Sequence, residues 1–177
     1  LSVSRLVPNK RIDLLIKAFN KLGLPLYIVG DGILKKSLKN NSMPNIKFLG
    51  HQSDEIVEDL MSRCRGFLLA GIEDFGIAPV EAMASGAPVI AFGKGGILDS
   101  VKCITKPQKN EISTGLLFKK QSAREIIDTI NWFEDNRVWR KFESKKLNEF
   151  SKRFDRENFS NRFEIFINKA IEDFQYF

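Results

Sequence analysis

Glu73-Asp74-Phe75-Gly76-Ile77-Ala78-Pro79-Val80-Glu81, continuing through Ala82-Met83-Ala84-Ser85-Gly86-Ala87-Pro88-Val89-Ile90, is the stretch on which the reading of this chain turns. Two glutamates frame a spacer with a glycine turn and then Pro79, a residue suited to the first turn of a helix because its missing N–H would find no partner there. Glu73 therefore reads as a loop residue and Glu81 as part of the opening turns of a helix over Pro79–Ser85, which Gly86 can cap. Carboxylates on either side of a helix N-terminus, with backbone N–H groups exposed between them, suit a ligand that carries both hydroxyls and phosphate. A nucleotide sugar is such a ligand.

Working outward, short apolar runs alternate with helical periodicity. Strands are expected at Leu1–Ser4, Leu26–Val29, Ile46–Leu49, Phe67–Ala70, Val89–Phe92 and Thr114–Phe118. Ile12, Leu15, Ile16 and Phe19 recur at helical spacing, with Asn9 available as N-cap and Gly23 as stop. Ile33, Leu34 and Leu38 suggest a short helix, and Ser53 can cap one that carries Ile56, Val57, Leu60 and Met61. From Ala123 onward the pattern is helical, first through Ile126, Ile127, Ile130 and Phe133, then through Phe159, Phe163, Phe166 and Ile167. Strand–helix alternation of this kind implies an α/β fold, a Rossmann-like parallel sheet with helices on both faces and a helical C-terminal tail. In such a sheet, ligands bind beyond the carboxyl ends of the strands where strand order reverses. Arg5, Gly30-Asp31-Gly32, Gly50–Asp54, Gly71–Gly76 and Gly93-Lys94-Gly95-Gly96 each follow a strand, so they converge on one edge.

These segments, in this order, resemble the signature of retaining GT-B glycosyltransferases of family 4, in which two glutamates frame a seven-residue spacer. Arg5 and Lys10, within Ser4-Arg5-Leu6-Val7-Pro8-Asn9-Lys10, are similar to that family's diphosphate-binding pair, and Val29-Gly30-Asp31-Gly32 and Phe48-Leu49-Gly50 fall where its pattern expects them. The resemblance extends from the first residues to Val101 and more weakly beyond, and is nearest to bacterial and archaeal mannosyltransferases of surface-polysaccharide assembly. It implies catalytic roles for Glu73, Arg5 and Lys10. Glu73 would lie beside the donor sugar, while the two cations neutralise the leaving diphosphate. It also implies that Glu81 accepts from the ribose hydroxyls and that the backbone N–H groups of Phe75, Gly76 and Ile77 reach sugar and phosphate. By its position, Gly50-His51-Gln52-Ser53-Asp54 is expected to face the base, with Gln52 beside it, and Asp54 reads either as a first-turn acid of the helix that Ser53 caps or as an acceptor from guanine N1 and N2. The implied donor is GDP-mannose, a substrate rather than a cofactor, and no metal is implied. Where the family has Lys-Gly this chain has Lys10-Arg11, and Asp74 stands where Gly is frequent. Two rival readings stay open: another donor such as a UDP-sugar, and a noncatalytic nucleotide-sugar-binding module, since fold alone does not fix function.

Composition agrees with one domain over residues 1–177 of ordinary globular character, 43% hydrophobic and 28% charged. No apolar run approaches the ~18 residues that span a bilayer, and nothing resembles a signal peptide. Cys64 and Cys103 lack CxxC spacing and read as reduced cytoplasmic thiols, and His51 stands as the sole histidine, which argues against a zinc site or a Ser–His pair. The net charge of +6 is uneven: residues 136–153 hold seven basic side chains against Glu143 and Glu149. The plain reading is a solvated helix face. The sharper one, helped by Trp139 and Phe142, is peripheral contact with the inner face of an anionic membrane or with a polyprenyl-phosphate acceptor, the acceptor of the reaction itself being expected to be a glycan or polyprenyl-linked. No nucleic-acid-binding motif accompanies the charge. The chain opens at Leu1 inside a strand, so it is expected to be the C-terminal half of an enzyme whose N-terminal acceptor domain is absent. Alone, it is expected to bind the donor without transferring sugar.

Overall fold

The computed structural model describes residues 1–105 and 112–175. Its strands are β1 (Ser2–Val3), β2 (Leu26–Val29), β3 (Ile46–Gly50), β4 (Phe67–Leu69), β5 (Val89–Phe92) and β6 (Gly115–Phe118). Its helices are α1 (Ile12–Leu22), α2 (Lys35–Asn40), α3 (Asp54–Arg63), α4 (Ile77–Ala84), α5 (Ile97–Ser100), α6 (Ala123–Asp135), α7 (Ser144–Ser151) and α8 (Arg156–Gln175). Every strand pairing is parallel, in the orders β1-β2-β3 and β4-β5-β6. The single expected sheet is thus two three-stranded ladders, because β1 is only two residues long. The ladders meet where the Leu68 N–H donates to the Leu1 carbonyl at 2.8 Å and the Ser2 hydroxyl donates to the Leu68 carbonyl at 3.0 Å. Read across that seam, the order is 3-2-1-4-5-6, and its reversal falls between β1 and β4.

Burial on both faces follows from the period of two along each strand. Ile28, Leu68, Ile90 and Leu116 point to the side covered by α1 and α6, where Leu15, Phe19, Ile126 and Phe133 complete one core. Val29, Phe67, Leu69, Val89 and Ala91 point to the other side, against Met61 of α3 and Ala82 and Met83 of α4. This is the reason the central strands read as near-continuous apolar runs rather than alternating ones.

Several local expectations are corrected. Asn9 does not cap α1: Pro8–Lys10 form a 3₁₀ turn, and Arg11, at φ 52° and ψ 35°, stands at the helix start. Gly23 does stop α1, at φ 69°, donating its N–H to the Phe19 carbonyl at 2.9 Å. Ile33 precedes α2 and is exposed. Ser53 occupies the N-cap position of α3 but captures no backbone N–H. Its hydroxyl bonds the Glu55 carboxylate instead, which holds that group below the ordinary range. Helix α4 starts before Pro79 because Gly76, at φ 87°, turns the chain early. Pro79 then lies in the first turn, where no N–H is required.

The basic segment folds onto the domain. Val138 and Leu147 are buried, and Trp139 and Phe142 pack against the first core. The guanidinium groups of Arg65 and Arg140 lie over the Trp139 ring at 5.1 and 5.0 Å. Trp139 is therefore an internal packing element, while the basic residues of the segment are exposed. Helix α7 docks on α4, Asn148 Nδ2 donating to the Ala84 carbonyl at 2.6 Å. Gly86 makes this docking possible: at φ +89° it tolerates a left-handed turn, and a Cβ there would sit 2.7 Å from the Ser144 Cβ. Helix α8 leaves Phe159, Phe163 and Phe166 exposed. Among the described residues no helix is long and apolar enough to cross a membrane.

This division of labour is measurable. Phe67→Ala removes the largest fully buried ring and is expected to cost about 3–5 kcal/mol of stability. Phe159→Ala on the exposed face of α8 is expected to stay within about 0.5 kcal/mol. Urea unfolding of both variants checks the contrast, and equal losses would contradict it.

Candidate functional site

At the carboxyl edge of the sheet, the loops after β1 and β4 are driven together at the point where strand order reverses. Gly71, buried at the end of β4, has no room for a side chain: a Cβ there would lie 2.7 Å from the Asn9 carbonyl oxygen and 2.9 Å from Lys10 Cα. The Pro8–Lys10 turn thus sits directly against β4's outgoing chain. Lys10 Nζ consequently donates to Glu73 Oε1 at 2.5 Å, each side chain 17% exposed. Half-buried, charge-assisted bonds of this kind are among the strong ones, because little water competes.

Arg11 holds this turn in place. A non-glycine residue in the left-handed region costs roughly 1–2 kcal/mol, which is the physical reason a glycine suits the position after Lys10. Here the strain is offset by Asp13, which receives Arg11 Nε at 3.0 Å and Arg11 Nη2 at 3.2 Å. The bidentate bond raises the Arg11 pKa, and the Asp13 carboxyl, although burial alone would push it up, is held below its ordinary range by Arg11. Arg11 Nη1 also reaches Gln121 Oε1 at 3.4 Å, and Gln121 Nε2 donates to the Ala70 carbonyl at 2.8 Å. The Gln121 bridge carries no local sequence signal, since Arg11 and Ala70 lie 110 and 51 positions from Gln121.

The Glu73 loop is clamped from its other side by the loop after β5. Gly96 N–H donates to the Glu73 carbonyl at 2.8 Å. A Cβ on Gly96 would lie 1.9 Å from the Asp74 carbonyl oxygen, and one on Gly95 2.6 Å from that of Glu73. These glycines therefore serve close backbone approach. Phe75 and Ile77 are exposed, and Gly76 hands the chain into α4. First-turn N–H groups such as those of Ile77 and Ala78 have no intrahelical acceptor and make this end of α4 electropositive. Glu81 lies one turn further along α4 with its side chain exposed.

The remaining predicted residues occupy the same edge without touching this pair. Arg5 follows β1, exposed, and its guanidinium has no ion-pair partner among the described residues. Its backbone is fixed, the Arg5 carbonyl accepting from Val7 N–H at 3.0 Å. Gly30 and Gly32 pack against the Ser4 and Leu6 carbonyls, where Cβ atoms would come to 2.0 and 2.5 Å. Between them, Asp31 bonds Lys35 at 2.5 Å and the Gly32 N–H at 2.8 Å, contacts that hold its carboxyl below the usual range. Beyond β3, Gln52 Nε2 donates to the Leu49 carbonyl at 2.6 Å and so closes the turn into α3, leaving its carbonyl oxygen for other use. Asp54 is the first residue of α3, exposed. β3 and β4 are three strand spacings apart in the observed order, about 14 Å at ~4.8 Å each. The edge thus has an extended track with carboxylates at both ends and cations between.

A cavity of about 570 Å³ opens at the opposite, amino end of the strands, walled by Leu1, Tyr27, Cys64, Gly66 and Phe133 among others. Its arginines are already engaged, Arg63 with Asp59 and Arg65 with Glu134. Burial pushes the Cys64 thiol up, away from the reactive thiolate. The converging charged groups are at the carboxyl edge, so that edge is the candidate site. Among the described residues no group of three or more His, Cys, Asp or Glu side chains is placed to hold a metal ion.

The chain is 32% identical over 159 residues to an uncharacterized glycosyltransferase of Methanocaldococcus jannaschii, covering 87% of this chain and 43% of that protein. It is 36% identical over 115 residues to a GDP-mannose-dependent monoacylated alpha-(1-6)-phosphatidylinositol monomannoside mannosyltransferase of Corynebacterium glutamicum, covering 55% of this chain and 30% of that one. Among solved structures, an Anabaena protein in complex with UDP-glucose superposes with a TM-score of 0.75 at 24% identity, over 95% of this chain and 48% of that chain. The chain thus spans less than half the length of these proteins. The family model of the glycosyl transferases group 1 matches residues 1–155, and the chain belongs to that family.

Proposed function

We propose that this chain is the donor-binding part of a retaining GT-B glycosyltransferase of family 4, one that moves mannose from GDP-mannose to a glycan or polyprenyl-linked acceptor in surface-polysaccharide assembly. The observation that carries the reading is the Lys10–Glu73 pair, 2.5 Å apart at the strand-order reversal. A phosphate-seeking cation and a sugar-seeking carboxylate are there held by one joint between two loops. In this reading the donor diphosphate draws the Lys10 ammonium away from Glu73, with Arg5 as the second cation. The freed carboxylate then faces the sugar and meets positive charge that develops at its anomeric carbon. Departing charge is neutralised by Lys10, Arg5 and the N–H groups at the start of α4.

Glu81 is assigned to the ribose hydroxyls, and Asp54 with Gln52 to the base. In this reading the base lies at the β3 end of the track and the sugar at the β4 end. A guanine-containing donor is favoured by the similarity to the GDP-mannose-dependent enzyme of Corynebacterium. The exposed basic residues of 136–153 are assigned to an anionic acceptor or to the inner, cytoplasmic face of a membrane. Acceptor positioning supplies much of the rate in a transfer reaction, so the donor part alone is expected to bind nucleotide and leave sugar untransferred.

Three measurements test this. Lys10→Ala and Arg5→Ala are each expected to weaken GDP binding about 10-fold or more, the scale of losing a hydrogen bond to a charged group, while guanosine affinity holds. Calorimetry in which both ligands lose equally would point to a folding defect instead. Glu81→Gln is expected to weaken GDP by roughly 1–3 kcal/mol, and an unchanged affinity in the folded variant removes Glu81 from the ribose. Wild type is expected to prefer GDP to UDP and ADP, and Asp54→Ala to erase most of that preference. A wild-type preference for UDP would reject both the base contact and the mannose assignment.

A further inference from the structure

The loop that carries Phe75, Gly76 and Ile77 is pinned through its backbone by Gly71 behind it and by Gly95 and Gly96 beside it. Its most prominent side chain is handled differently. The Phe75 ring is 47% exposed and meets the Phe154 ring edge-on, with centroids 5.7 Å apart and planes at 78°. Phe154 comes from a segment 79 positions further along the chain, the 3₁₀ turn Lys152–Phe154 that follows α7. That turn is held firmly. Phe150 packs Phe154 at 6.2 Å, and the Arg153 guanidinium covers both rings at 4.9 and 5.4 Å. Asn158 Nδ2 donates to the Lys152 carbonyl at 2.9 Å, and α7 itself is docked on α4 through Leu147 and Asn148.

We infer that Phe154 is a positioning residue for the donor loop: its edge-on contact with Phe75 aims the backbone N–H groups of Phe75–Ile77 at the ligand. The inference rests on the reading of those N–H groups given above. An exposed ring contributes little to global burial, so the contact's effect is local. Gly76, at φ 87°, sits in a region where glycine moves freely, so the contact of the Phe75 ring with Phe154 adds a side-chain restraint on the direction of these donors. A loop that samples several directions must be ordered at the moment of binding, and that ordering lowers affinity. Phe154, Phe150 and Arg153 thus couple the C-terminal segment to the site at the start of α4 while α7 grips the end of the same helix.

The test uses the whole 177-residue chain with GDP and UDP as probes, followed by calorimetry, by amide exchange of the free protein over residues 73–77, and by urea unfolding. Phe154→Ala is expected to speed exchange in that loop, to weaken the preferred nucleotide about 2- to 12-fold, the scale of an aromatic pair, and to leave the urea midpoint near wild type. Phe154→Tyr, which keeps the ring edge, is expected to restore both affinity and protection. Wild-type affinity in Phe154→Ala overturns the inference, as does faster exchange without any loss of binding. Should Phe154→Ala fail to fold, Phe154→Leu is expected to give the same loss, and unchanged affinity there overturns the inference equally. Wild type that binds neither nucleotide sinks the donor reading and this inference together, a result distinct from tight binding that the Phe154 variants leave untouched.

Discussion

With Gly71 pressed to 2.7 Å from the Asn9 carbonyl at its would-be Cβ, the loop after β1 and the loop after β4 meet backbone to backbone. Everything at the carboxyl edge depends on that approach. It seats the Pro8–Lys10 turn on β4, brings Lys10 to Glu73, and forces the chain through a left-handed Arg11 before α1 can begin. Arg11 then becomes part of the support, tied to Asp13 and, through Gln121, to the carbonyl of Ala70. Lys10 and Glu73 at the candidate site are thus supported by Arg11, Asp13 and Gln121, which bond one another and the Ala70 carbonyl.

The two cores support this edge from both faces of the sheet. Leu68 and Ile90 face α1 and α6, while Leu69 and Ala91 face α3 and α4, so the strands that end at the site are packed on both sides. Interiors packed in this way transmit displacement rather than absorb it. The loops above them gain rigidity from glycines placed for close backbone contact: Gly30 and Gly32 against Ser4 and Leu6, Gly95 and Gly96 against Glu73 and Asp74. Helix α4 ties the two ends of the domain together, since its first turn belongs to the site and its last turn receives α7.

The basic segment shows how charge and packing separate on one element. Its exposed lysines and arginines give the surface a positive field, while Val138, Trp139, Phe142 and Leu147 belong to the interior. Arginines over Trp139 and over Phe150 and Phe154 use the aromatic faces as platforms, an arrangement in which the cation keeps its contact with water.

Alternation of apolar runs with helical periodicity was enough to read a parallel α/β fold, with β2 and β5 falling on the expected residues. The loops that follow strands were equally legible, because glycines and charged residues beside apolar runs are a local pattern. So were the two glutamates, one before and one within α4. The cap assignment at Asn9 misjudged the start of α1, because the Gly71 approach that places the Pro8–Lys10 turn is outside any local rule, whereas Ser53 does stand at the N-cap of α3 and only its hydroxyl goes elsewhere, to Glu55. The Lys10–Glu73 pair, the Gln121 bridge and the Phe75–Phe154 contact join residues 51 to 110 positions apart. Sequence alone determined which residue types stand at the ends of strands, because strand and helix periodicity are local. Which of those residues touch was decided only by the tertiary structure, because it depends on strand order and on how closely two backbones can approach.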